Sequence, residues 1–232
     1  MSEKKVQVAE SGDTLLKMES FWQKYSKQLL IGLAVIVIAI GGWYGYQSFV
    51  VQPKEDEAAN IIFKAEADFR QDSLVRALKG NTETRSKGFL YVINNFSGTK
   101  AGNLAKYYAG ICYLKTGDFN NAVKYLADFN TDAKQIQMMA YGALGDAYGE
   151  LGKNDDAVAS YKKAAATFDA DQLNASEYLF RAGLKLETMG KNKEAVEVYK
   201  ELKEKFPQTE KGYQADKYIY RLSIEPNDFS VK

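Results

Sequence analysis

The chain has no histidine, one cysteine and three prolines in 232 residues. Without histidine, the commonest general base and a usual zinc ligand are both missing. A single thiol, Cys112, excludes an internal disulfide, so the fold must hold by packing alone. Scarce proline leaves long helices uninterrupted. The net charge of +1 gives no long-range attraction to nucleic acid. Gly-rich phosphate loops are lacking too, because the glycines recur in a register of their own. The acidic segments "GDFNNA" and "GKNDDA" lack the alternating oxygen ligands of a calcium loop and read as turns. Ser160, beside Lys162 and Lys163, reads as part of an exposed helical face rather than a Ser–Lys dyad. Asn95-Phe-Ser97 and Asn174-Ala-Ser176 match a glycosylation acceptor, a pattern with meaning only on a eukaryotic secretory route. No cofactor, metal site or enzymatic activity is indicated.

What is abundant is apolar and small. From Gln28 to Pro53 no residue is charged, a run of 26. Its apolar centre, "LLIGLAVIVIAIGGWYGYQSFVV", covers Leu29 to Val51, or 23 residues. As a helix that is about 34 Å, enough for roughly 30 Å of hydrocarbon. Trp22 and Tyr25 flank one end, and Trp43, Tyr44 and Tyr46 the other, as in interfacial aromatic belts. A cleaved signal peptide fits less well, because the run is too long, starts late and has no small-residue cleavage site behind it. Residues 29–51 therefore read as a transmembrane helix. Lys17, Lys24 and Lys27 precede it with Glu19 the only nearby acid, whereas Lys54, Glu55, Asp56, Glu57, Glu66 and Asp68 follow, a mainly acidic run. The positive-inside rule then predicts a cytoplasmic N-terminal segment, residues 1–28, and an exported domain, residues 52–232. In a Gram-negative cell this is an inner-membrane protein with a periplasmic domain. Within the span, Gly41 and Gly45 form a small-x-x-x-small pair suited to packing on another membrane helix. On the other side, Leu15, Leu16, Phe21, Trp22, Tyr25 and Leu29 among lysines suggest an interfacial helix leading into the span.

Three segments beyond the span fall into step: Lys106–Leu126, Tyr141–Tyr161 and Leu179–Tyr199. Each has Gly at its fifth and twelfth positions and Ala at its seventeenth. The alanines Ala122, Ala157 and Ala195 are spaced by 35 and 38 residues. This pattern resembles the tetratricopeptide repeat, a helix–turn–helix unit of about 34 residues. Gly110, Gly145 and Gly183 would admit the second helix of each unit, with the alanines approaching reciprocally. Gly117, Gly152 and Gly190 would make the turns. The clear repeats lie at about 103–136, 138–170 and 176–208, with Pro207 closing the third and a capping helix at about 209–223. Upstream, "EDEAANIIFKAEADFRQDSLVRALKG" and "RSKGFLYVINNFSGTKAGN" read as two helices of a degenerate first pair, with Thr99 as cap of the next. Pro53 is the one break expected between span and array. The expected fold is all-α, a single transmembrane helix followed by a tetratricopeptide-repeat solenoid.

Such arrays bind peptide segments in a groove lined by the first helix of each unit. The register nominates Leu104, Tyr107, Ile111, Leu114, Asp146, Phe180, Leu184 and Glu187 as a partner groove, some of which would equally serve as core. The order of parts also resembles the bacterial ancillary SecYEG translocon subunit (YfgM-like) family. The likeness rests on Phe21-Trp22, the Ser97-Gly98-Thr99 turn and "NLAKYYAG" from Asn103 to Gly110. That resemblance implies association with the SecYEG translocon and a PpiD-like periplasmic chaperone, and contact with exported client proteins. A periplasmic scaffold for envelope or cell-wall assembly would have the same anchor and repeats.

Overall fold

The computed structural model describes residues 3–82 and 84–224, with side chains from Leu16 onward apart from Lys17. Of the segments assigned from sequence, residues 1–2 and 225–232 lie outside the described residues, as do the side chains of Leu15 and Lys17. The chain divides into two units, Met1–Lys54 and Glu55–Lys232.

The first unit is built on α1, Glu3–Tyr46, followed by a π-helical turn, Gln47–Val51. The helical stretch from Met18 to Arg70 contains a window long and apolar enough to cross a membrane, and none of that window is buried. Helix α2, Gln52–Arg70, begins one residue before Pro53. Proline therefore does not end the helix, contrary to the break expected there. It lacks an N–H and would crowd the carbonyl four residues back. Here the preceding turn is wide, and the Gln52 N–H donates to the Gln47 carbonyl, five residues back, which opens the ladder where the ring must fit.

In the second unit, α2 is followed by α3 (Leu74–Lys79), a short antiparallel pair β1 (Gly80–Asn81) and β2 (Ser86–Lys87), and α4 (Phe89–Asn95). The sequence reading had α2 and α3 as one helix, and α4 beginning near Arg85. Asp72 ends α2 in the left-handed region, φ 54°. Gly80 makes the turn into the strand pair at φ 85°, where an added Cβ would lie 2.2 Å from the Ser86 carbonyl oxygen. Phe89 and Val92 then turn α4 onto the buried face shared with Ala58, Ile62, Ala65, Ala105 and Ala109.

Three helix pairs follow: α5 (Lys100–Lys115) with α6 (Phe119–Ala127), α7 (Lys134–Glu150) with α8 (Asn154–Thr167), and α9 (Gln172–Thr188) with α10 (Asn192–Lys205); α11 (Glu210–Ser223) ends the array. Each turn between paired helices carries its glycine at positive φ, 81° at Gly117, 72° at Gly152 and 71° at Gly190. The Thr99 hydroxyl accepts the Gly102 N–H at 2.9 Å, and Asp118 caps α6 through the Asn121 N–H at 3.2 Å. Asp118 is thus a helix cap, and Asp155 and Asp156 fill the first turn of α8, where acids favour the helix dipole.

The close approaches between paired helices lie where the repeat pattern puts them. An added Cβ at Gly110 would meet Leu126 at 2.5 Å, at Gly145 the Tyr161 ring at 2.6 Å, and at Gly183 the Tyr199 ring at 2.5 Å. Ala122, Ala157 and Ala195, expected to approach the glycines reciprocally, are fully buried, but the side chains that meet the glycines stand four residues further on. Ser160 departs from its sequence reading: it is buried, and its hydroxyl donates to the Asp156 carbonyl at 2.8 Å. One turn beyond Ala157, it faces inward because the buried stripe of α8 is wide, taking in Val158, Tyr161, Ala164 and Ala165. Cys112 is fully buried, and burial pushes its thiol up to about 12, so it packs as a small apolar residue.

Candidate protein-interaction surface

The first helices α5, α7 and α9 carry the residues nominated for a groove, and the structure divides them into three groups. On α5, Leu104, Tyr107, Ile111 and Leu114 are half-buried. Leu104 packs on the core of the first helices, and the other three on the core shared by α6 and α7. Tyr107 lies with its ring 5.5 Å from Phe129 and 5.5 Å from Tyr108. Burial, then the neighbouring Tyr178 and Tyr108, push its hydroxyl up to about 12, so it is a neutral donor at physiological pH. Beside Leu104 opens a cleft of about 410 Å³, lined by Lys100, Asn103, Phe129, Thr131, Asp132 and Ile136 among others.

Asp146 and Glu187 form a second group, and both are engaged within the array. The Tyr161 hydroxyl donates to Asp146 Oδ1 at 2.7 Å, and Arg181 from the following first helix donates to the same carboxylate at 3.0 Å. Glu187 repeats the arrangement one unit later: the Tyr199 hydroxyl donates to it at 2.6 Å, and Arg221 of α11 pairs with its other oxygen. Each carboxylate thus ties the second helix of its own unit to the first helix of the next. Burial first, and the hydrogen bond to the carboxylate second, raise the Tyr161 and Tyr199 hydroxyls well above the usual phenol range. In the first clear unit, Leu126 stands where Tyr161 and Tyr199 stand, and Ile111 and Leu114 occupy the turns corresponding to Asp146 and Glu187. With Leu126 in the tyrosine's position, α5 carries no acid to meet it.

Phe180 and Leu184 form the third group. Phe180 is core, 6% exposed, with its ring 5.0 Å from Tyr218, because α11 lies over it. It is therefore withdrawn from any groove. Leu184 remains 37% exposed.

A seam that the sequence reading missed runs between α7 and α9. An added Cβ at Gly142 would lie 2.1 Å from the Tyr178 ring, and at Gly149 it would lie 3.2 Å from Lys185 Nζ. With the Asp146–Arg181 pair between them, three contacts follow one another at helical spacing along both helices. Side chains of α9 therefore cover the face of α7 that the repeat register had assigned to a partner. The seam was readable only from the absence of side chains at Gly142 and Gly149. The exposed large apolar side chains of α7 and α9 are Met139, Leu173 and Leu184, whereas the four nominated residues of α5 are only partly open. In the first unit, Gly41 is exposed and Gly45 half-exposed, and an added Cβ at either meets nothing within 4 Å.

Family models for the tetratricopeptide repeat match residues 104–132, 140–166 and 177–209. Among solved structures, the chain is similar to the nearly identical TPR-like repeats described for a kinesin light chain of Podosopora anserina. That likeness has 14% identity and a TM-score of 0.45, covering 74% of this chain and 84% of the other. No curated protein matches the chain. Residues 104–209 of this helical array carry tetratricopeptide repeats, and such repeats are protein-interaction scaffolds.

Proposed function

We propose that the chain is a non-enzymatic membrane-anchored adaptor that assists protein export, with residues 29–51 spanning the inner membrane and residues 52–232 in the periplasm. The observation that carries this reading is the combination of a fully unburied apolar helix with a repeat array. An apolar face of 23 residues is stable only in lipid or against other membrane helices. A repeat array acts by holding proteins rather than by transforming them. The lysines before the span and acids after it support the orientation. The likeness to the translocon-associated family in Phe21-Trp22 and "NLAKYYAG" supports SecYEG and a PpiD-like chaperone as partners, with exported clients held by the repeats. The partly open α5 residues Leu104, Tyr107, Ile111 and Leu114, beside the cleft at Leu104, are the preferred client surface, and Gly41 and Gly45 the preferred membrane contact.

Purification in mild detergent tests this reading. The full chain should bring down SecYEG and the chaperone, and loss of residues 55–232 should release the chaperone more than the translocon. Recovery of cell-wall or outer-membrane assembly proteins without either partner would overturn it in favour of an envelope scaffold. Reporters active on one side only, fused to each terminus, test the orientation, which a cytoplasmic C-terminus would refute.

A further inference from the structure

Helix α11 repeats the first helix of a unit, and no second helix follows it among the described residues. A shift of 110 positions brings α4–α5 onto α10–α11: Phe89, Phe96, Thr99, Gly102, Ala105 and Tyr108 fall on Tyr199, Phe206, Thr209, Gly212, Ala215 and Tyr218. The local geometry agrees. Thr99 and Thr209 each donate to the phenylalanine carbonyl three residues back and accept the glycine N–H three residues on. Tyr108 lies 5.1 Å from Phe89, and Tyr218 lies 5.0 Å from Tyr199.

On α5, the face carrying Asn103, Lys106, Tyr107 and Gly110 is covered by α6 and the segment after it. Asn103 donates to the Asn130 carbonyl, Lys106 pairs with Asp128, Tyr107 lies against Phe129, and Gly110 faces Leu126. The same face on α11 carries Tyr213, Asp216, Lys217 and Tyr220, and all four are exposed, with no second helix over them among the described residues. Tyr213 is 85% exposed and Tyr220 71%. Tyr220 replaces the glycine that admits a second helix, so a helix packed as α6 packs would clash there.

At about 100° per residue these four positions form one stripe roughly 100° wide. The stripe reads Tyr-x-x-Asp-Lys-x-x-Tyr. Under a two-fold axis crossing an antiparallel helix pair between positions 216 and 217, Tyr213 meets Tyr220 of the copy and Asp216 meets Lys217 of the copy, each contact made twice. This is the self-complementarity an isologous interface needs. Asp216 also pairs with Lys203 at 2.7 Å, but its side chain is 66% exposed and keeps its second oxygen for the copy.

We infer that the α11 stripe is a homodimer interface, in which a second copy of this chain packs antiparallel through Tyr213, Asp216, Lys217 and Tyr220. A helix of 14 residues is about 21 Å long, so the pair lies at the small end of specific interfaces and the dimer is weak and reversible.

Charge exchange on the full chain in detergent, read by sedimentation equilibrium, tests it. Asp216→Lys makes the stripe doubly basic and Lys217→Glu makes it doubly acidic. Each alone should weaken the dimer by about tenfold or more, because the two-fold axis counts every repulsion twice. An equimolar mixture of the two should regain dimer, since both contacts are then complementary, while unchanged melting temperatures show that the fold is intact. Tyr213→Ala with Tyr220→Ala should also give monomer. A wild-type chain that is monomeric at about 100 μM, a dimer indifferent to both charge changes, or a mixture with no more dimer than its components would each overturn the inference.

Discussion

The two carboxylate clamps allow one contact type to be measured twice in one molecule. Asp146→Ala removes the acceptor of the Tyr161 hydroxyl and the partner of Arg181. Tyr161 is 5% exposed, so its hydroxyl is left without a partner in a nearly dry site, at a cost of about 1–3 kcal/mol. The ion pair adds less. Arg181 and Asp146 are 40% and 36% exposed, and exposed pairs contribute roughly 0.2–1 kcal/mol. The expected loss is therefore about 2 kcal/mol, or ~4–8 °C in melting temperature for a domain of this size. Tyr161→Phe removes donor and need together and should cost about 1 kcal/mol. Asp146→Ala in the Tyr161→Phe background should then cost distinctly less than in the wild type. The coupling should be about 1 kcal/mol, read from urea unfolding of the full chain in detergent. The Glu187–Tyr199 pair, with Tyr199 fully buried, should give an equal or larger value. Additive losses at both pairs, within about 0.3–0.5 kcal/mol, would refute the claim that these carboxylates act through the tyrosines.

Gly142→Ala should destabilise by roughly 1–3 kcal/mol because its Cβ would enter the Tyr178 ring. Gly149→Ala meets only the flexible end of Lys185 and should be nearly neutral, so equal melting temperatures would remove the α7–α9 seam. Ala157→Leu overpacks a fully buried helix contact and should lose a similar 1–3 kcal/mol, whereas Ala159→Leu on the exposed side of α8 should change melting little. The raised hydroxyls of Tyr107, Tyr161 and Tyr199 make stability pH-dependent on the alkaline side. A phenol whose folded value exceeds its unfolded value of about 10 contributes fully below that pH. The contribution is lost above it, at up to ~1.4 kcal/mol per pH unit for each group. Urea unfolding between pH 8 and 11 should show this decline, and Tyr199→Phe should make it shallower.

Local pattern was enough for the repeats, and three-dimensional packing was needed for their surfaces. The spacing of Gly145 and Tyr161 is a property of the chain itself, because a turn of given length must bring the small residue of one helix to the large one of the next. The positive φ of Gly117, Gly152 and Gly190 follows from the same local geometry. The strand pair at Gly80–Lys87 was missed because its strands are two residues each, too short for alternation to register. Ser160 was misplaced because one exposed-looking Ser–x–Lys–Lys string says nothing about how wide a buried stripe the neighbouring helices require. For the candidate surface, sequence register nominated eight residues but could not tell which a neighbouring unit would occupy. Phe180 went under α11, Asp146 and Glu187 went to arginines 35 and 34 residues further on, and the α7 face went to Tyr178 and Lys185. Period and composition determined that this chain would stack helices, since both are read within one turn or one unit. Only the tertiary structure decided which faces remained open, because exposure depends on the side chains that the next unit projects across the gap.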